Sequence, residues 1–450
     1  MFRYLINIII YGFLPLFLFP ACSEDMDSGE VELPATKYIT FVFQAGQQTR
    51  AAGNDENALP EEVTVKTIDV FVVGGTGLAD VKTHTFSVGE GMPYVAHETA
   101  EGVYIPTLEA VIPISEGRKE VYALINLNPV LRASMPTVLI SNNSLSASVE
   151  SLTVSDNFVM SPEAPFTVLT GYPTKEEAML SGNQFNIRME RVVSKVAMVK
   201  SWEGTYSLEN KSGSVSDLSY TVKNINSRFF ALRRSNEQGV RIDPNFIRLT
   251  DNPVLGEYLY PPALDVNSPE LKYINVQFAP ENADKAISPV HYVLENTNEM
   301  NYQIGNTTYV LVRAKFTPAE IIGTKDVNDP EGTFYLGDQD HKFYASAADA
   351  TTAGNKPLSS RIEFGTVKYP GGLCYYAVPV GQIDATLQLA PVLRNDYFYI
   401  NIQSVFRIGM PNDPFNTPYQ TPTNDIPYGV YIKTTITVQP WTLKTRKYVV

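Results

Sequence analysis

Two cysteines stand in 450 residues, and one of them, Cys22, sits where a thiol could carry lipid. An apolar run from Leu5 to Phe19 precedes it, interrupted only by Asn7, Gly12 and Pro15, with Arg3 ahead of the run and Ala21 directly before the cysteine. The run has the length of a secretory signal core and falls short of the ~20 residues of a membrane span. A cysteine at the cleavage point can be diacylated on sulfur and acylated on the amine that cleavage frees. The reading is a lipoprotein signal over residues 1–21 with Cys22 as the first processed residue. The alternative is an ordinary secretory peptide with an incidental cysteine. Several acyl chains hold a protein on a membrane far better than one.

Elsewhere the residues that could do chemistry are scattered. Cys374, in the strand-like "LCYYAVPV", has no partner once Cys22 is acylated, so no disulfide framework is expected and it reads as a small buried hydrophobe. His84, His97, His291 and His341 form no HxH or HExxH spacing, so a zinc site is unsupported. "GGTG" at 74–77 could cradle a phosphate, but no Lys-Ser/Thr helix follows it, and a hairpin turn is the plainer reading. "DVNDPEG" at 326–332 offers calcium-like oxygens without the EF-hand order and reads as an acidic loop. There is no GxSxG or CxxC; a carboxylate pair for glycoside hydrolysis cannot be singled out. The expectation is a protein that is not an enzyme, with no catalytic residue, cofactor or metal. A net charge of −13 leaves no electrostatic footprint for nucleic acid.

The elements that must carry any function read as strands. Charged residues are sparse at 18%, while tyrosine, phenylalanine and proline abound, which suits an all-β exported protein. Residues 22–36 read as a polar tether. In "KYITFVFQA", Ile39, Phe41 and Phe43 fall on one face and Tyr38, Thr40 and Val42 on the other, giving a strand with at least one buried side. "GQQTRAAGNDENALPEE" has no apolar periodicity and reads as an exposed loop. "VTVKTIDVFVVGG" and "EVYALINLNP" are the next strands, the second stopped by Pro129, and residues 141–160 could form one short helix. "QFNIRMERVVSKVAMVK" returns to alternation, and a domain boundary is placed before it, near 185. The second half repeats the style up to "DYFYINIQSVFRIG", a Pro/Asn loop, and a final strand, "VYIKTTITVQPW". Pro440 should break that strand; beyond it Trp441, Leu443 and Val449 share a face. A terminus this apolar needs a partner.

Several segments together resemble the fimbrillins, the type V pilins of Bacteroidales: "VYALINL" (121–127), "NFVMSP" (157–162), "MERVVSKVAMV" (189–199), "LRNDYFYINIQSVFRIGMP" (393–411) and "TVQPW" (437–441), in matching order. The acids after Cys22 resemble the surface-export signal of lipoproteins in the same group. The resemblance implies two tandem transthyretin-like Greek-key β-sandwich domains with few short helices. It implies a signal peptide at 1–21, a propeptide at 22–50 carrying an exchangeable first strand, and sandwiches at 51–184 and 185–450, the second ending in a donor strand. It further implies an outer-membrane lipoprotein precursor that an arginine-specific protease trims, here between Arg50 and Ala51 of "QQTRAAG". The strand holding Ile39, Phe41 and Phe43 would then leave. The C-terminal strand of another fimbrial subunit, with Trp441, Leu443 and Val449, would fill its place by β-augmentation, building a cell-surface fimbria that supports adhesion. An accessory or tip subunit, a glycan-binding lipoprotein that stays anchored, and a hydrolase are the alternatives.

Overall fold

Alternation makes the strands, and their burial decides how they stack. The computed structural model describes residues 36–45, 58–98, 100, 102–244, 258–259, 265–280, 285–297, 302–359, 364–381, 389–415 and 432–440. Strand far outweighs helix, so the chain is all-β, with sandwich-like sheets.

The first strand changes partners part-way. β1 (Lys37–Ile39) and β2 (Phe41–Ala45) flank Thr40. β3 (Thr67–Val73) and β4 (Val81–Ser87) form a hairpin whose turn includes "GGTG", with Gly74 N–H donating to Asp80 C=O. β5 (Tyr94–Ala96), β6 (Val103–Pro106), β7 (Ile112–Ile114) and β8 (Lys119–Ile125) come next. β1 pairs antiparallel with β7. β2 instead enters a nine-stranded sheet of order β4, β3, β8, Met160–Ser161, Phe185–Arg191, β2, β6, β5, with Phe166–Val168 also on β8.

Asn126, not Pro129, ends β8. It adopts a left-handed φ of 59°. Its side-chain oxygen accepts the Lys66 and Thr67 N–H groups, and its side-chain nitrogen donates to Thr64 and Phe158 carbonyls. Pro129 then starts a helix. α1 (Pro129–Ser141) is capped by Asn128, whose side chain accepts from Leu131 N at 2.9 Å. Proline at the first helical position loses a donor that had no partner anyway. The short helix expected within 141–160 is the single turn Val149–Leu152, while α1, which ends at Ser141, is unexpected.

A three-stranded sheet of Phe343–Tyr344, Phe334–Leu336 and Val367–Tyr369 and several two-stranded ones accompany two five-stranded sheets. One runs Gln277–Phe278, Ser194–Lys200, Asp396–Val405, Ile432–Pro440, with His291–Val293 also on Ser194–Lys200. The other runs Tyr206–Ser207, Gly213–Lys223, Tyr309–Pro318, Leu373–Pro379, with Ile274–Asn275 on Gly213–Lys223. Tyr206 Oη donates across to the Ile402 carbonyl at 2.8 Å. The run expected to open the second half serves both halves: Phe185–Arg191 lies in the first sheet and Ser194–Lys200 in the second. The passage falls at Val192 and Val193, both fully buried. One continuous apolar core spans the sheets within the compact unit Thr36–Val450.

Candidate strand-exchange site

The first strand is buried on both faces. Ile39, Phe41, Phe43 and Ala45 are wholly enclosed, as is Thr40 on the opposite face. The Phe41 ring lies 5.7 Å from that of Phe185 and 6.1 Å from that of Phe43, which meets Tyr94 edge-on at 5.4 Å. β2 is also bonded on both edges. It runs parallel to Phe185–Arg191, with Phe41 opposite Phe185 and Ala45 opposite Met189. On its other side it runs antiparallel to β6. Tyr38 and Tyr172 exchange backbone hydrogen bonds of 2.8 and 2.9 Å. We call Phe185–Arg191 the floor strand, because it forms one wall of the place β2 fills.

The C-terminal strand has a different setting. Ile432–Pro440 pairs antiparallel with Asp396–Val405 and is the outermost strand of its sheet among the described residues. Ile432 is buried and Lys433 exposed, as the alternation predicts. The described pairing runs to Pro440, opposite Asp396. Cys22, Arg50, Ala51, Trp441, Leu443 and Val449 lie outside the described residues.

The described residues also hold a set of buried charges that the sequence pattern did not single out. Glu62 lies in the turn Pro60–Glu62. Its carboxylate takes Lys195 Nζ at 2.9 Å, Tyr292 Oη at 2.7 Å and Leu59 N–H at 2.6 Å. Its carbonyl accepts Arg191 Nε at 2.8 Å. Arg191 Nη1 donates to the Asn395 side-chain oxygen at 3.1 Å. Beside it, Arg394 donates to Glu295, to Ser161 Oγ at 3.0 Å and to the Phe230 carbonyl. Glu62, Lys195, Arg191 and Arg394 are all fully buried. Burial lowers the Lys195 pKa, with Glu62 opposing the shift, and brings Arg191 down to about 10. Burial first, and then Glu62, raise the Tyr292 hydroxyl far above its usual value. A third buried pair joins Lys223 Nζ to Asp413 at 2.6 Å, with Tyr309 Oη on the same carboxylate oxygen. One signal was available: Arg191 and Lys195 border and interrupt the valine-rich run Val192–Val199.

The loop at 326–332 is occupied by ordinary ion pairs. Asp329 takes Lys368 Nζ and Tyr335 Oη, and Glu331 takes Lys325 Nζ. Among the described residues, no three His, Cys, Asp or Glu side chains gather as a metal site. Cys374 is buried, and burial raises its thiol pKa to about 11.

Residues 367–447 match the family described as major fimbrial subunit protein type IV, fimbrillin, C-terminal. That match covers the strands from Val367–Tyr369 through Ile432–Pro440, including the outermost strand. Over these strands the chain is similar to the fimbrillins. It is 23% identical to the minor fimbrium subunit Mfa1 of Porphyromonas gingivalis, over 88% of this chain and 85% of that protein. A putative cell adhesion protein from Parabacteroides distasonis overlays with a TM-score of 0.48 at 14% identity, covering 91% of this chain and all of that one. A fimbrilin (fimA) from P. gingivalis overlays with a TM-score of 0.45 at 13% identity, covering 92% of this chain and 99% of that one.

Proposed function

We propose that this chain is a structural subunit of a cell-surface fimbria, exported as a lipoprotein on Cys22, cut between Arg50 and Ala51, and polymerised by strand exchange. The observation that carries the reading is the place of β2. A strand buried on both faces and bonded on both edges ends at Ala45, five residues before Arg50. Cutting there severs its covalent link to the rest of the fold.

Losing this strand is costly. Ile39, Phe41 and Phe43 each contribute ~2–3 kcal/mol by burial. Backbone hydrogen bonds on two sides add ~1 kcal/mol each. An emptied slot therefore costs on the order of 10 kcal/mol, comparable to the whole stability of a domain. The slot must be refilled, and a strand inserted between two open edges satisfies both. The donor in this reading is the C-terminal segment of the next subunit, carrying Trp441, Leu443 and Val449. The contact is head-to-tail, so it propagates as a filament. The uncut strand keeps the slot covered until export is complete. The partners in this reading are other fimbrial subunits, an arginine-specific protease and, before the cut, the outer membrane; adhesion is the filament's use.

Mass spectrometry of the surface-borne form tests the pathway. The expected terminus is Ala51, and Arg50→Ala should leave unpolymerised precursor. An assembled fimbria made of chains still acylated at Cys22 would overturn it. Purified cut protein forming long homopolymers would mark a shaft subunit; one that only caps or joins other subunits would mark an accessory or tip subunit.

A further inference from the structure

We infer that Glu62 is a positioning residue that fixes the acceptor slot when the first strand leaves, an inference that rests on the strand-exchange reading. The floor strand shows why such a fixed point is needed. Its residues Phe185 to Met189 have β2 as their strand partner. On its other edge, Met160–Ser161 reaches only Glu190 and Arg191. Among the described pairings, then, loss of β2 leaves five residues of the floor strand held by no neighbouring strand. The side chains of Ile187 and Met189 stay in the core, while Asn186 and Arg188 are exposed.

What remains is the far end: Glu190 and Arg191 keep Met160–Ser161, Glu190 keeps its ion pair with Arg233, and Arg191 keeps its own partners. Its Nε bonds the Glu62 carbonyl, and its Nη1 and backbone N–H reach Asn395 at 3.1 and 3.4 Å. Glu62 itself is pinned to Lys195 on the adjoining strand of the second sheet and to Tyr292 on the strand beyond that. The carboxylate also reaches back to Leu59 N–H, so it closes the turn beyond the cut loop. One residue thus ties the chain downstream of the cut, the held end of the floor strand at Arg191 and the second sheet. Buried ion pairs are often no more stabilising than apolar side chains of the same volume. Their use here is geometric: a carboxylate with directed partners sets one position, which a greasy contact would not.

The test compares amide exchange across residues 185–191 in the full precursor before and after cleavage, at dilute concentration, for wild type and Glu62→Gln. In the uncut protein the variant should change exchange less than twofold, since β2 still holds the floor strand. After cleavage it should speed exchange at least tenfold. The same comparison in uncut precursor carrying Phe41→Ala and Phe43→Ala, which loosen β2 without a cut, should show the same tenfold coupling. If wild-type residues 39–45 stay protected after cleavage while that uncut comparison shows the coupling, strand release is wrong and the role of Glu62 stands. Should Glu62→Gln change exchange equally whether β2 is tight, loosened or gone, the residue is merely structural and the inference falls. Where the single variant does not fold, Glu62→Gln with Lys195→Met removes both charges at similar volume and is read the same way.

Discussion

Replacing Phe43 by alanine separates the uncut subunit from the polymer. Phe43 is fully buried in β2, with ring contacts to Tyr94 and Phe41. Removing a buried phenylalanine side chain costs about 3–5 kcal/mol, from lost transfer energy and the cavity left behind. Unfolding entropy near 2.1 cal/mol/K per residue, over roughly 400 residues, gives about 0.8 kcal/mol per kelvin. A loss of ~4 kcal/mol should therefore lower the precursor Tm by about 5 °C. After cleavage the same change weakens only a strand that leaves. Its release can speed by up to ~10³-fold, at 1.4 kcal/mol per factor of ten. Polymerisation limited by strand release should accelerate, while the finished polymer keeps its wild-type melting temperature. Scanning calorimetry of precursor and polymer, with light scattering after protease addition, reads all three. A polymer whose Tm falls as far as the precursor's would show that Phe43 still sits in the assembled subunit, and strand exchange at this slot would be refuted.

Other perturbations have equally definite outcomes. Ending the chain after Pro440 should leave the precursor folded and cuttable but abolish polymerisation, as seen by electron microscopy; filaments from that chain would exclude residues 441–450 as donor. Asp413→Asn should cost about 3–5 kcal/mol in urea unfolding, because it strands the fully buried Lys223 ammonium. Adding Lys223→Met should restore most of that loss, and an additive double variant would show that the pair does not interact. His291 has its pKa lowered by burial from 6.5 to about 4. Between those values the unfolded chain binds the proton that the folded chain refuses, so stability present above pH 6.5 is lost as pH falls toward 4. The total is about 3 kcal/mol. His291→Gln should flatten that part of the urea-midpoint profile, and an unchanged profile would clear His291 of the effect.

The strands were legible where alternation and turn residues agreed. Ile39, Phe41 and Phe43 announce their buried face by spacing alone. Pairing was not legible, because a parallel contact between residues 41–45 and 185–189 leaves no local trace. The run through Val192 and Val193 looked like one strand, because its residues are apolar on both sides of a passage that only tertiary structure defines. Pro129 misled in the other direction: read as a breaker, it starts a helix once Asn128 caps it. Glu62, in "ALPEEVTV", has the composition of a solvated loop. Nothing within the stretch shows that its partners, Lys195 and Tyr292, lie more than a hundred residues away.

The geometry of the seam bears on how a filament of such subunits would carry load. The C-terminal strand's last described pair is Pro440 with Asp396. The next residue back, Asn395, takes a left-handed φ of 62° and donates its N–H to the Val193 carbonyl at 2.9 Å. Its side-chain oxygen accepts from Arg191, at the end of the floor strand. The floor strand and the strand that pairs with Ile432–Pro440 therefore meet through two side chains, Arg191 and Asn395, with the Glu62 carbonyl on the same guanidinium. In a head-to-tail chain, tension entering at the slot reaches the outgoing strand by this short path as well as through the apolar core. Hydrogen bonds of fixed direction resist shear between sheets in a way that nondirectional apolar contacts do not. If the proposed head-to-tail polymer forms, burying charged groups at this junction has a mechanical use, and the same groups would be an expensive choice in a fold selected for stability alone.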